Sequence, residues 1–143
     1  MNQKIDLLFT LDEGYLAPLK VALLSIHDNN PRQDFRVWLV HERISEESIT
    51  TLEAFCHALG FELQVIKVDG SNWASAPTVA RYPKEMYFRL LAGEILPENI
   101  TKVLYLDPDI LVINPLGDLW NLELDQHLLA AATHTGLLDV STP

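Results

Sequence analysis

Apolar residues change their spacing several times in the first half of the chain. Ile5–Thr10 ("IDLLFT") is an almost continuous apolar run, which is typical of a strand covered on both faces. Residues 16–28 carry apolar side chains at helical spacing, with Pro18 in the first turn, where its missing N–H is harmless. Residues 35–40 ("FRVWLV") and 61–68 ("FELQVIKV") return to strand character.

A second helix is predicted between the last two of these strands. Ser45 is a good N-cap, Glu46 and Glu47 suit the positive end of the helix dipole, and Gly60 is a good stop. The order β-α-β-α-β predicts an α/β fold of the doubly wound class, with a mostly parallel, Rossmann-like sheet and helices on both faces. In such sheets ligands bind outside the carboxyl ends of the strands. The apolar face of the second helix, between Ser45 and Gly60, comprises Ile49, Leu52, Phe55, Cys56 and Leu59.

The second half is less regular. Residues 69–83 lack clear periodicity, which favours a binding loop or a crossover over the sheet. We expect a helix over residues 84–91, a strand in "KVLYLD" that ends at Asp107, and a further strand over residues 128–134. The 143 residues suit one domain, 1–143.

Composition limits the partners. The net charge of −10, with only 10 Lys plus Arg, argues against nucleic acid or an anionic membrane surface, so an anionic ligand would need a cation to offset the charge. The single cysteine, Cys56, excludes an internal disulfide. No signal-peptide pattern and no apolar run of ~18 residues is present, which favours a cytoplasmic protein and leaves peripheral association with the inner face of the membrane open.

The stretch "VLYLDPDILVI" sets two carboxylates, Asp107 and Asp109, within an apolar run. An unpaired buried carboxylate is costly, so the pair must face water, cations or a metal. An ordinary Asp-Pro turn would explain it, and so would a divalent cation held by oxygen ligands. The two-aspartate phosphatase pattern fits less well, because Leu111 stands where that pattern needs Thr.

A second group of polar residues follows the first strand. On the doubly wound interpretation, Asp12 and Tyr15 lie at the same edge of the sheet as Asp107 and Asp109. Asp12 could instead be a helix N-cap ahead of Pro18, and Tyr15 could pack on the first helix.

Three ordered blocks together carry a family resemblance. "TLDEGYLAPLKVALLSI", "RYPKEMYFRLL" and "KVLYLDPDILVINPLGDLW" resemble glycosyltransferase family 8. This retaining group has the GT-A fold and includes lipopolysaccharide galactosyl- and glucosyltransferases and glycogenin. The similarity extends over nearly the whole chain.

The resemblance implies a role for each matching residue. Asp107 and Asp109 would be the DxD pair that binds Mn²⁺, with Mg²⁺ as the alternative, and the ion would bridge the diphosphate of a UDP-sugar. Pro108 between them would fix the backbone.

The same resemblance places the nucleoside at the first strand. Asp12 would accept a hydrogen bond from the uracil imide, Tyr15 would stack on the base, and Thr10 and Leu11 would line the uridine through backbone groups.

Two more matches lie on the middle block. Arg89 would reach the diphosphate or the donor sugar, although a solvated helix-surface arginine is the alternative. Tyr82 would offer backbone contacts to the nucleotide.

The chain also departs from the family pattern. Gly14 replaces a common asparagine, which would remove a contact to the ribose and loosen the loop, and His134 stands where an acidic residue is common. The downstream HxxGxxKPW-type motif, whose histidine completes the metal site, is absent from the sequence. The expectation is an N-terminal portion of a longer transferase, in which no residue can be assigned as catalytic nucleophile.

The predicted function is therefore a metal-dependent retaining hexosyltransferase, or its donor-binding portion. It would transfer glucose or galactose from a UDP-sugar to a glycan or lipopolysaccharide-type acceptor. The alternative is a noncatalytic nucleotide-binding or interaction module, in which exposed apolar surface would promote homo-oligomer formation. A nucleotidyltransferase fits less well, because no glycine-rich phosphate loop follows the first strand.

Overall fold

The computed structural model of the chain describes residues 3–69 and 92–132. A short 3₁₀ helix, Glu13–Tyr15, separates the first strand from the first helix. The other elements, in chain order, are β1 (Ile5–Thr10), α1 (Leu16–Asn29), β2 (Phe35–His41), α2 (Glu46–Ala58), β3 (Glu62–Lys67), α3 (Ala92–Ile95), β4 (Leu104–Tyr105) and α4 (Gly117–Trp120).

The four strands form one parallel sheet in the order β3-β2-β1-β4. β1 pairs with β2 along its whole length, from Ile5 opposite Phe35 to Thr10 opposite Val40. On its other side β1 pairs with β4. The chain therefore moves outward from β1 to β3 and then returns to the far side of β1, which confirms the doubly wound prediction.

Apolar side chains cover both faces of the sheet. Alternate residues of β1, Ile5, Leu7 and Phe9, are buried with side chains of α1 and α2 on one face. Leu8 belongs to a second cluster on the other face, where α3 and the segment before β4 pack. Burial on both faces explains why the β1 sequence is an almost continuous apolar run rather than an alternating pattern.

The ends of α2 agree with the sequence signals. The Ser45 side chain accepts a hydrogen bond from the backbone N–H of Ser48 at 3.2 Å, as an N-cap should. Gly60 has φ +74°, its N–H donates to the His57 carbonyl, and the N–H of Phe61 donates to the Cys56 carbonyl. This is the Schellman arrangement, for which glycine pays no Cβ penalty.

Two strand predictions need correction. β4 is only Leu104–Tyr105 and does not continue to Asp107, because the chain leaves the β1 ladder to form the turn at Pro108. The strand predicted over residues 128–134 is wrong for residues 128–132, which have no regular secondary structure. Leu128 is 97% exposed there, so an apolar run that meets no sheet neighbour gains nothing from extended pairing.

Other predictions fall outside the described residues. They include the helix over residues 84–91, most of the irregular segment over residues 69–83 and the end of the chain after residue 132. Within the described ranges, no helix is both long and apolar enough to cross a membrane.

One buried carboxylate lies within β1. Asp6 accepts hydrogen bonds from Arg36 Nε at 2.6 Å and from Trp38 Nε1 at 2.8 Å, both on the neighbouring β2. Arg36 Nη2 donates to its second oxygen at 3.2 Å. The hydrogen bonds with Asp6 raise the pKa of Arg36. A charge in an otherwise apolar strand is tolerated here because each of its oxygens has a donor.

Replacing Asp6 should therefore destabilise the fold. Asp6→Ala is expected to lower the free energy of unfolding by about 2 to 4 kcal/mol, because it leaves the Arg36 charge and the Trp38 N–H without their acceptor. Urea denaturation followed by circular dichroism measures this. Lys4→Ala is the matched control, since it removes only the surface ion pair with Glu62 and should cost less than about 1 kcal/mol. Equal effects of the two variants would contradict the assignment.

A buried histidine ends β2. His41 is 3% exposed, and its Nδ1 accepts a hydrogen bond from the backbone N–H of Ile44 at 3.0 Å. Burial, followed by the nearby charge of Lys67, lowers the pKa of His41 from its usual 6.5. The folded state therefore holds the neutral imidazole.

Stability should fall as the pH drops below 6.5. The unfolded chain then takes up a proton on His41 that the folded chain resists, so protonation favours unfolding down to the lower pKa of the folded state. Urea midpoints between pH 7.5 and pH 5.5 should fall less in His41→Asn than in the parent protein. His57→Asn, at an exposed position on α2, should keep the parental pH dependence. An unchanged slope in His41→Asn would rule out this role.

Candidate functional site

The carboxyl ends of β1 and β4 meet at the point where the strand order reverses. Leu8 lies opposite Tyr105, and the N–H of Leu106 donates to the Leu8 carbonyl at 3.1 Å. Asp12 follows the last residue of β1 by two positions, and Asp107 follows the last residue of β4 by two. Both aspartates therefore lie at the edge where doubly wound folds bind their ligands.

The two strands are joined at this edge by side chains. Thr10 Oγ1 and the Tyr105 hydroxyl form a hydrogen bond of 3.2 Å. Leu11 is buried, and its N–H donates to the Val40 carbonyl at 3.4 Å. Thr10 and Leu11 thus belong to the fixed part of the edge, and the exposed groups begin at Asp12.

Asp12 holds the turn that follows β1. Its Oδ1 accepts a hydrogen bond from the N–H of Gly14 at 2.8 Å, and its carbonyl accepts one from the N–H of Tyr15 at 3.2 Å. The predicted cap is therefore present, but it caps the 3₁₀ helix and not α1. A Cβ on Gly14 would lie 3.2 Å from Asp12 Oδ1, so the small residue lets this turn close tightly.

Tyr15 sits at the junction of the 3₁₀ helix and α1 and is 44% exposed. The residue is therefore partly accessible at this edge of the sheet. An exposed aromatic ring next to a carboxylate can stack on a planar ligand.

The two aspartates of "DPD" are exposed, and Pro108 between them is buried. Neither carboxylate makes a hydrogen bond or ion pair with a residue in the described ranges. The buried proline fixes the backbone between the two exposed carboxylates. The turn prediction is correct for the backbone, but it does not explain two exposed charges after the strand that have no partner among residues 3–69 and 92–132.

Polar side chains of α1 hold the segment that follows these aspartates. Ser25 Oγ accepts from the N–H of Val112 at 2.9 Å, and Asn29 Nδ2 donates to the Val112 carbonyl at 2.9 Å. Asn30 Oδ1 accepts from the N–H of Leu116 at 2.7 Å. These three residues were not predicted from the sequence, because long-range contacts of single polar residues leave no periodic signal.

The contacts of Glu13 were also not predicted from the sequence. Its Oε1 accepts hydrogen bonds from Ser45 Oγ at 2.8 Å and from Ser48 Oγ at 2.5 Å, which connect the turn after β1 to the start of α2. Both bonds lower the pKa of Glu13, and the bond from Ser48 has the larger effect. The signal that was available is the serine pair at the predicted N-terminus of α2.

Several predicted site residues lie outside the described ranges: Tyr82, Arg89 and His134. Within those ranges no group of three or more His, Cys, Asp or Glu side chains could hold a metal ion. Asp107 and Asp109 nevertheless supply exposed carboxylate oxygens, the donors that Mn²⁺ and Mg²⁺ favour. The pair fits a cation whose remaining positions are filled by a ligand, by water or by other residues.

Comparison with known proteins agrees with this geometry. A putative glycosyltransferase of Haemophilus influenzae is 27% identical over 135 residues, which cover 94% of this chain and 40% of that protein. A lipopolysaccharide 1,2-glucosyltransferase of Escherichia coli is 25% identical over 113 residues, covering 79% and 33%. The chain therefore spans less than half the length of these relatives.

Solved structures match as well. The galactosyltransferase LgtC, crystallised with donor and acceptor sugar analogues, superposes with a TM-score of 0.77 at 31% identity, over 85% of this chain and 44% of that one. The fold is thus the Rossmann-like GT-A fold of glycosyltransferases. The sequence pattern of glycosyl transferase family 8 matches residues 6–139. The chain belongs to glycosyl transferase family 8.

Proposed function

We propose that this chain is the donor-binding portion of a metal-dependent retaining glycosyltransferase. The donor is a UDP-sugar, the transferred sugar is glucose or galactose, and the acceptor is a glycan or a lipopolysaccharide-type saccharide. One observation carries the proposal: two exposed carboxylates, Asp107 and Asp109, flank a buried proline at the edge where the strand order of the sheet reverses, and neither has a partner among the described residues. A metal cation between them would let a diphosphate bind beside these carboxylates in a protein of net charge −10.

The turn after β1 supplies the nucleoside part of the site. Oδ1 of Asp12 accepts a hydrogen bond from the N–H of Gly14, and its second oxygen would accept one from the uracil imide. Tyr15 offers its exposed ring to the base. Thr10 and Leu11, held at the edge of the sheet, line the uridine through their backbone.

A Mn²⁺ or Mg²⁺ ion on Asp107 and Asp109 would supply Lewis-acid stabilisation of the negative charge on the departing UDP. The protein's part is to fix the two carboxylates, through buried Pro108 and through the α1 contacts to Val112. Arg89 and Tyr82 lie outside the described residues, and their proposed roles toward the diphosphate and the nucleotide rest on the family resemblance alone.

The sugar and acceptor classes come from the relatives. One relative is a lipopolysaccharide glucosyltransferase and one matched structure is a galactosyltransferase with both sugar analogues bound. Retention of anomeric configuration is the property of the family that this chain resembles.

The second proposed function is nucleotide binding without sugar transfer. The described residues that the proposal uses, Asp12, Tyr15, Asp107 and Asp109, all serve the donor. That function predicts metal-dependent UDP binding with no turnover of UDP-glucose or UDP-galactose.

Removing the paired carboxylates should abolish metal-dependent donor binding. Calorimetric titration of UDP in the presence of Mn²⁺ is expected to show saturable binding that weakens more than about tenfold in Asp107→Ala/Asp109→Ala, since the cation loses both protein ligands. EDTA should have the same effect on the parent protein.

A charge-matched variant separates coordination from net charge. Asp118→Ala/Glu123→Ala also removes two exposed carboxylates of the second half and should bind UDP like the parent. UDP binding that is indifferent to EDTA and to loss of Asp107 and Asp109, in chains shown to be folded, would refute the metal-dependent donor site.

Tyr15 should matter through its ring. Tyr15→Ala is expected to weaken UDP binding by about 1 to 3 kcal/mol, the range for stacking of an aromatic side chain on a base. Tyr15→Phe keeps the ring and should bind nearly as well as the parent. Inorganic pyrophosphate with Mn²⁺, which has no base, should bind both variants equally. A phenylalanine variant as weak as the alanine variant would assign the effect to the hydroxyl instead.

A further inference from the structure

The turn that carries Asp12 and Tyr15 is hydrogen-bonded to the start of α2. Glu13 lies between these two residues, yet its side chain leaves the turn and bonds two hydroxyls at the start of α2, Ser45 Oγ at 2.8 Å and Ser48 Oγ at 2.5 Å. These residues are 32 and 35 positions away along the chain. No local requirement of a 3₁₀ helix demands such contacts.

We propose that Glu13, Ser45 and Ser48 form a brace that positions the uridine-binding turn before the nucleotide arrives. The inference rests on the proposed function of that turn, and it makes Glu13 a positioning residue that does not itself touch the ligand.

The internal bonds of the turn show why a brace is useful. Within the described chain, the turn is closed from inside by the bonds of Asp12 to the N–H groups of Gly14 and Tyr15. These bonds are local to the turn, and a Cβ on Gly14 would lie 3.2 Å from Asp12 Oδ1. The contacts of Glu13 add a link from the turn to the N-terminus of the 13-residue helix α2.

The chemistry of the brace favours a carboxylate. Both hydroxyls donate to one oxygen of Glu13, and charge-assisted bonds of this kind are stronger than neutral ones. The carboxylate also lies at the N-terminus of α2, where the helix dipole favours negative charge. Ser45 meanwhile caps α2 through its hydroxyl oxygen, so the same residue fixes the helix start and the turn.

The brace removes an ordering cost from binding. A turn that is already held in its bound shape loses less conformational entropy when the nucleotide docks, and this saving appears as affinity. The effect reaches the ligand through Asp12 and Tyr15, so it should be confined to ligands that carry the uridine.

The first test measures the turn without any nucleotide. Hydrogen exchange followed by mass spectrometry should show faster exchange of the Gly14 and Tyr15 amides in Glu13→Ala and in Ser48→Ala than in the parent protein. Thr51→Ala is the matched control, because that hydroxyl also lies on α2 but donates only to the carbonyl of Glu47 within the helix. Unchanged exchange in both brace variants would overturn the proposal, whatever UDP does.

The second test measures UDP binding with Mn²⁺. Glu13→Ala, which removes both bonds, should weaken UDP about three- to tenfold, Ser48→Ala, which leaves the Ser45 bond, should weaken it by no more than that, and the double variant should be no weaker than Glu13→Ala. Binding of Mn²⁺-pyrophosphate should not change. A loss that is shared by pyrophosphate, or that adds fully in the double variant, would contradict the brace.

Conservative variants separate position from charge. Glu13→Gln keeps an oxygen at the same reach without the charge and should bind UDP better than Glu13→Ala but less tightly than the parent protein, whereas Glu13→Asp keeps the charge but is one methylene too short and should bind no better than Glu13→Ala. Failure of the parent protein to bind UDP would instead defeat the proposed function, and the exchange result would still decide whether the brace orders the turn.

Discussion

The structure depends on one constraint, the burial of β1 on both faces and along both edges. Its six residues are all buried, and it pairs with β2 on one side and β4 on the other. A strand so enclosed has no freedom to slip, because a shift of one residue would exchange its two apolar faces. The positions of Thr10, Leu11 and Asp12 at the carboxyl edge follow directly from this fixed register.

Elements whose apolar residues are buried at regular spacing could be predicted from the sequence. β1, the two long helices and the Gly60 stop were located from pattern and turn chemistry, since each is specified by neighbours within a few residues. The positions of Asp12 and Asp107 at one edge followed from the topology rule for parallel sheets. Their assignment to a nucleotide came from family resemblance, not from spacing.

What the pattern could not give are contacts between single polar residues distant in sequence. The bonds of Glu13 to Ser48 and of Ser25 to Val112 join segments 35 and 87 residues apart. An isolated polar residue is equally compatible with water or with such a partner until the fold is known. Residues 128–132 show the opposite error: their apolar character predicted a strand, but without a neighbouring strand to pair with they have no regular secondary structure.

The helix α1 gives the site a rigid spacer. Its first turn follows Tyr15, and its last turn and C-cap carry the residues that bond Val112 and Leu116, downstream of the aspartates. With 14 residues and a rise of 1.5 Å per residue, the helix is about 21 Å long. Each residue also rotates the chain by about 100° around the helix axis. An insertion or deletion inside α1 would therefore turn one set of contacts away while leaving the other in place. The number of residues in this helix, as much as their identity, determines how the nucleoside end and the carboxylate end of the site face each other.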